Sequence, residues 1–417
     1  MHRFYANWPQ GFFVVLSILA GVRTIHASEV DALTISGNIQ QWHMPHGTIL
    51  DPRFASSDPA SSDVVGYTRA GDSAIWTGHY LAAEAFRYQV TRSDDALKNA
   101  WKALQGIHSL LDVTGSDVLA RCLIPENPPA PYKDAIKQEE AGNGIYYNSL
   151  EGQPYFWIGN TSRDQYSGVV FGLSVAYDMI DDPNVRALIR QDLTRILNYL
   201  LAHNWNVIMP DGTVSTTFAF RPDQQLSFLQ AGRKVNPLRF TLTYAIYRGV
   251  YAGFVAVPIF FDNLDDHGHY FKFNLNYINL YDLIRLEENN SPYKAVYMNA
   301  YDMLRGRTQS HGNAHFNMID RALKGPNSAR DTETITLLSL WLQRPRRDYY
   351  VDLRSRYPAC DADRSCIPID VNDRVNTDFL WQRSPFLLFG GGAGTIETAA
   401  IDYILPYWMA RYYALPQ

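Results

Sequence analysis

The amino-acid sequence predicts an all-α protein, an (α/α) toroid of about five to six helical hairpins with long loops at one end. Three observations predict it. From Asp72 onward, apolar residues recur at helical spacing in segment after segment. Within the clear early pairs, one helix is apolar almost all round and its partner is amphipathic, as two concentric helix layers require. The connections between hairpins differ widely in length, whereas a stacked solenoid keeps a fixed period.

The chain has 417 residues, 46% hydrophobic and 19% charged, which is ample for a large core and unlike a disordered chain. A net charge of −5 leaves no basic footprint, so nucleic acid is excluded as an expected partner. Residues 1–28 read as a secretory signal. The apolar run Gly11 to Gly21, "GFFVVLSILAG", leads to small Ala27 and Ser28. The run is short for a membrane span, so no stable span is expected after cleavage, and the expected location is secreted or periplasmic. An uncleaved anchor is the alternative. Residues 29–71 read as an extended N-terminal segment and residues 72–417 as the helical catalytic domain.

The first hairpin joins "DSAIWTGHYLAAEAFRYQV" (Asp72 to Val90) to a helix that Ser93 caps and Thr114–Gly115 ends. Asp164 to Ile180 is a nearly uncharged helix. "DDPN" turns the chain into an amphipathic helix from Val185 to Leu201. Leu238 to Phe261 is a long apolar segment. Its arginines, Pro258 and scattered polar positions favour a buried inner helix over a membrane span. Phe273 to Glu287 pairs with Pro292 to Arg305, and "HFNMIDRAL" pairs with Arg330 to Leu342. Ile396 to Tyr413 closes the chain. Ser116 to Arg163 and Pro345 to Ser384 read as long aromatic loops of the kind that carry function. "GGGAG" (Gly390 to Gly394) lacks the flanking signals of a phosphate loop and reads as a flexible hinge.

This layout resembles the (α/α)-toroid carbohydrate-active enzymes, namely certain glycoside hydrolases, polysaccharide lyases and sugar epimerases. The resemblance covers Asp72 to the C-terminus at the level of architecture and transfers no catalytic residue. It implies a substrate groove across one end, where inner helices begin and long loops cluster.

Three acidic residues open helices in a similar way: Asp72, Asp164 in "SRDQ" and Asp331 in "ARDT". Glycoside hydrolysis needs two carboxyl groups across the scissile bond, and three on one rim would supply them. The competing reading is that each is a helix cap, since Asp accepts backbone N–H bonds and suits the helix dipole. A second group is rich in histidine: "DDHGHYFKFN" with His267 and His269, and "SHGNAHFN" with His311, Asn313 and His315. Here His315 or a Tyr could abstract a proton from a uronate while Asn313 and an Arg hold its carboxylate. Metal ligation and plain loop hydrogen bonding are the alternatives, and neither a metal nor a cofactor is expected. Trp76, Trp157 and Trp381 suit stacking on sugar rings, and His79, Arg163, His269, His311 and Arg383 suit polar substrate contacts.

The expected function is therefore a secreted polysaccharide- or oligosaccharide-cleaving enzyme with a glycan as its partner, working by hydrolysis at a carboxylate pair. Elimination at a uronate by a lyase is the closest alternative. An isomerase or dehydratase of a small apolar molecule, with Cys122 in its pocket, is a second, and a non-catalytic binding protein a third. "CDADRSC" has the spacing for a small disulfide loop between Cys360 and Cys366.

Overall fold

The computed structural model describes residues 27–415. The signal read in residues 1–28 therefore lies almost wholly outside the described residues. The segment expected to be extended opens instead with helix α1 (Glu29–Asn38). Ser28 and Asp31 form a reciprocal capping box at its start, a signal present in the sequence as Ser-x-x-Asp. Strands β1 (Asp51–Phe54) and β2 (Val64–Thr68) follow.

Helices α2 (Ser73–Thr91) and α3 (Asp94–Asp112) form the expected first hairpin, with Ser93 accepting from the Ala96 N–H. The next connection is not a plain loop. It holds β3 (Cys122–Pro125), helix α4 (Ala130–Glu139), β4 (Ile145–Leu150) and β5 (Gln153–Ile158). Then come α5 (Arg163–Met179) and α6 (Pro183–Ala202), where Asp182 caps through its carboxylate. A two-stranded ribbon, β6 (Asn206–Ile208) and β7 (Val214–Thr217), leads to α7 (Pro222–Val235). The remaining helices are α8 (Pro237–Tyr251), α9 (Ala256–Asp262), α10 (Phe271–Arg285), α11 (Pro292–Thr308), α12 (Ala314–Lys324) and α13 (Ser328–Trp341). Strands β8 (Arg347–Asp352) and β9 (Phe389–Glu397) precede the last helix, α14 (Ile401–Tyr412).

The all-α toroid is thus corrected to a mixed fold. Among the described residues, the strands build three antiparallel sheets, ordered β2-β1-β9-β8, β3-β5-β4 and β6-β7. The physical reason lies in the loops: they are long enough to need their own backbone pairing, since an unpaired buried N–H or C=O is costly. The "GGGAG" hinge is also corrected. It runs inside β9, which pairs with both β1 and β8. A Cβ at Gly391 would meet the Tyr349 carbonyl oxygen at 2.3 Å, and one at Gly394 the Tyr349 ring at 2.3 Å. Glycine is needed there for close approach, not for flexibility.

The helical part buries one large apolar core. α2 packs on α3, α5 and α14, α7 on α6, α8 and α10, and α10 on α5, α11 and α12. α2 and α5 lie closest. A Cβ at Gly78 would meet the Gly168 carbonyl oxygen at 2.1 Å, and one at Gly172 the Gly78 oxygen at 2.3 Å. The two backbones touch through glycines, so both helices start at the same end and their first turns face each other.

The apolar Leu238 to Phe261 segment is not a buried inner helix. It breaks at a single 3-10 turn, Ala252–Phe254, and Leu238 is fully exposed while Leu242 is 73% exposed. Among the described residues no single helix is long and apolar enough to cross a membrane. The pair Pro237–Phe254 and Ala256–Asp262 passes by length and composition together, bent by 44°. Cys360 and Cys366 are joined by a disulfide.

Candidate functional site

The facing first turns of α2 and α5 bring two of the three helix-opening carboxylates together. Gln165 joins them. Its amide oxygen accepts the Ile75 N–H at 2.9 Å, and its amide nitrogen donates to Asp72 Oδ1 at 3.0 Å. Arg121 clamps the two approaching loops. It donates to the Gly71 carbonyl (2.7 Å), the Asn160 carbonyl (2.9 Å) and Ser162 Oγ (2.9 Å), and stands 3.8 Å from Asp72. Ser162 in turn donates to Asp164.

None of the three acidic residues is a plain cap. Asp72 occupies the N-cap position of α2, but its side chain makes no capping bond. The N-cap of α5 is Ser162, and Asp164 sits inside the first turn. The cap of α13 is Asn327, which accepts from the Arg330 N–H. The cap reading thus fails for Asp72 and Asp164.

Burial drives the Asp72 carboxyl from 3.8 up to about 7, with Asp378 and Asp164 raising it further and Arg121 and Arg383 opposing them. Burial penalises the charged form, and like charges add to that penalty. Its side chain is still 32% exposed, so the carboxyl reaches solvent. Asp378 comes from the connection between β8 and β9 and is held by Arg383 through two bonds of 2.8 and 2.7 Å. The structure therefore assembles Asp72, Asp164, Asp378, Arg121 and Arg383 at one mouth. Sequence reading missed Asp378, Arg121 and Gln165. The Asp378-x4-Arg383 spacing gave no local signal, because its meaning depends on a loop folding back over α2.

Below the mouth lies a polar floor. Phe379 stacks on Trp76 (centroids 5.0 Å apart) and meets the His79 and His315 rings at 5.1 and 5.7 Å. His79 Nδ1 donates to the Ile75 carbonyl (2.9 Å), its Nε2 accepts from the Asn274 amide at 3.3 Å, and Asn274 also donates to Gln382 at 3.2 Å. Burial lowers His79 to about 4, and pushes His315 well below the usual imidazole range with His79 adding to the effect. Both rings are therefore neutral at pH 7. Both ring nitrogens of His315, the Trp76 Nε1 and the Asn274 Oδ1 are buried without a hydrogen-bond partner. Such orphans are rare in native interiors, and four of them gather here. The cavity beside Trp76, Asp378 and Phe379 measures only about 20 Å³. That is room for a water, not a sugar.

Beside the mouth, Arg163, Arg221, Gln224, His269 and Lys272 line a cavity of about 270 Å³, with Asp262 opposite. Arg221 is tied to Asp223 (2.8 Å) and Asp262 (2.9 Å). Burial and the neighbouring Arg221 lower the Arg163 guanidinium. The cavity is rich in donors and carries net positive charge.

The other expected residues lie elsewhere. Asp331 is bound by Arg321 and by Arg330 (3.1 and 3.3 Å), and accepts the Asn327 N–H at 3.2 Å. Arg321 also donates to the Tyr413 carbonyl at 3.0 Å, and the Tyr413 ring meets Phe86 at 6.1 Å. Phe86 lies fourteen residues beyond Asp72 along α2, about 20 Å by helical rise. Asp331 therefore belongs to the opposite end, and the expectation of three carboxylates on one rim is corrected to two. Trp157 is buried in β5 under Tyr146, and Trp381 is fully buried with its Nε1 donating to the Asp402 carbonyl at 2.5 Å. Neither presents a face to a sugar. Asn313 caps α12 and donates to the Trp381 carbonyl at 3.0 Å, while His311 is buried against Tyr270 (3.1 Å). Both are structural here. Among the described residues, no three His, Cys, Asp or Glu side chains converge as a metal-ligand group.

Compared with protein-family models, curated proteins and solved structures, the chain gave no significant match. The site's geometry is the basis for a functional reading.

Proposed function

We propose that the protein cleaves a saccharide by hydrolysis at the α2–α5 mouth, with Asp72 as the general acid and Asp164 as the partner carboxylate. One observation carries this reading. Asp72 is a carboxyl 32% exposed and raised to about 7 beside two other carboxyl groups. Acid-assisted glycoside cleavage requires a carboxyl that still holds its proton near neutrality, with a second carboxyl group at hand. The proton is held on Asp72 below neutrality and on about half of the molecules near pH 7, ready for a leaving oxygen. Asp164, which accepts from Ser162, stands beside Asp72 as the proposed base or nucleophile. Arg383, 46% exposed, stands at the same mouth as a donor to substrate hydroxyls. The test is hydrolysis of a panel of neutral and acidic oligosaccharides, read as new reducing ends. Turnover that survives in Asp72→Asn would sink the assignment.

A second reading, elimination at a uronate, rests on the neutral His79–His315 floor and on the cationic Arg163–Lys272 cavity. Neutral imidazole accepts a proton, and the cavity suits a carboxylate. Asn313, the residue first considered for that task, is engaged as a cap. The two readings separate by product: ultraviolet-absorbing unsaturated ends require elimination, and new reducing ends without them require hydrolysis.

A further inference from the structure

The face of α8 and α9 that points to solvent is largely apolar beyond the exposed Arg239 near its start. Ten large apolar side chains from Leu238 to Leu264 are between 37% and 100% exposed. No exposed residue from Thr241 to Phe261 is charged. Monomeric proteins rarely leave a patch of that extent to water.

The face has relief as well as apolarity. Leu238, Leu242, Ile246, Val250 and Phe254 form a ridge at four-residue spacing, all well exposed. Alongside it Ala245, Gly249 and Gly253 form a groove at the same spacing. A Cβ added at Gly249 or Gly253 would meet nothing within 4 Å, so the groove is open. Four-residue ridges packing into four-residue grooves is a preferred way for two helices to cross. Because ridge and groove lie side by side on one helix, a two-fold axis through the crossing seats each copy's ridge in the other's groove. One patch then satisfies both copies, as an isologous interface demands.

The area agrees. The ten exposed side chains offer roughly 1,000 Å², above the about 800 Å² that each partner buries in a standard interface. A lipid surface fits less well. It asks only for apolarity and makes no use of an open groove. We infer that α8 and α9 form a two-fold interface between two copies of this chain.

The experiment is sedimentation equilibrium of the full chain across the micromolar range, with vesicle co-sedimentation alongside. The wild type should show twice the chain mass. Ile246→Glu should give the single-chain mass with the melting temperature of the dissociated wild type, since the side chain is exposed in the single chain. Gly249→Met fills the groove while raising helix propensity. It should also abolish the dimer, with a melting temperature no lower than that of the dissociated chain. A wild type that is monomeric throughout overturns the inference. So does a dimer that persists in both variants, or a monomer that pellets with vesicles, which would assign the face to lipid. Turnover is not part of the readout, so the result stands or falls apart from the proposed chemistry.

Discussion

Two ends of the same helix set carry nearly the same sequence signal and do opposite things. "SRDQ" opens α5 at the mouth, and "ARDT" lies in the first turn of α13 at the far end. In both, an arginine precedes an aspartate. At the far end Arg330 folds onto Asp331 and Arg321 joins it, so the carboxylate is fully neutralised and buried at 7% exposure. At the mouth Arg163 turns away into a cavity, and Asp164 faces Asp72 instead. A carboxylate between two guanidiniums is a fastener. At the mouth the like charges of Asp378 and Asp164 help Asp72 hold its proton up to about 7, where it can be delivered. What decides the role is the group across from the motif, which comes from elsewhere in the chain.

The largest expected effect falls at the far end. Arg321→Ala leaves Asp331 half-paired in a buried setting and frees the carbonyls of Tyr413 and Ala414, which Arg321 holds at 3.0 and 2.8 Å. Breaking a buried pair by removing one partner costs about 3–5 kcal/mol. Thermal unfolding should show a loss of that size, with turnover per folded molecule unchanged. If turnover vanished while the melting temperature held, the two ends would not differ as described.

Asp72→Asn is the matching change at the mouth and should act the other way. Turnover should fall about 10²- to 10³-fold, the usual contribution of a general acid. Stability should rise. The folded carboxyl, at about 7, binds its proton more tightly than the unfolded one near 3.8. Its contribution is thus fully present below the unfolded value and is lost as pH rises through about 7. That loss is about 4 kcal/mol at full burial, and about 2 kcal/mol for a carboxyl 32% exposed. Asn does not titrate, so the variant should exceed the wild type by that amount above pH 7 and match it in acid. Denaturant unfolding at pH 4 and pH 8 reads the difference.

Gln165→Leu probes the bridge between the two helices. It strands the Ile75 N–H and removes a donor from the Asp72 carboxylate. An unsatisfied buried N–H costs about 1–3 kcal/mol. Losing a donor to the charged form raises the Asp72 value further. The basic limb of the pH–rate profile should therefore move to higher pH. A shift downward would mean that Gln165 holds the protonated form.

The helices were legible because caps and apolar spacing are local. Ser93, Asp182 and Ser291 stand where the helices begin, and each accepts a first-turn N–H. The strands were not legible. "YFWIGN" and "IYYN" carry aromatic residues, but their pairing as β5 with β4 rests on a partner strand and not on their own pattern. The site was legible in part. Asp72, Asp164, Trp76 and His79 share helix starts that the spacing could place. Asp378, Arg121 and Asn274 reach the site from distant segments. The exposed face of α8 misled for the opposite reason: apolarity reads as burial, and a surface reserved for a partner looks like core.

The smallest effect belongs to a residue at neither end. Cys122 is fully buried in β3, and burial pushes its thiol up to about 12, so it is no nucleophile at neutral pH. Beside it, the buried Ser73 and Thr48 hydroxyls face the thiol and oppose the effect of burial. Cys122→Ser removes a weakly polar sulfur but offers those two hydroxyls a third. The desolvation cost of the new hydroxyl and the gain of its hydrogen bonds oppose each other, so the net change in stability should stay within about 1 kcal/mol. Turnover should be unchanged. Loss of turnover with the fold intact would move the chemistry from the α2–α5 mouth to the Cys122 side of α2, and would favour a small apolar substrate over a saccharide.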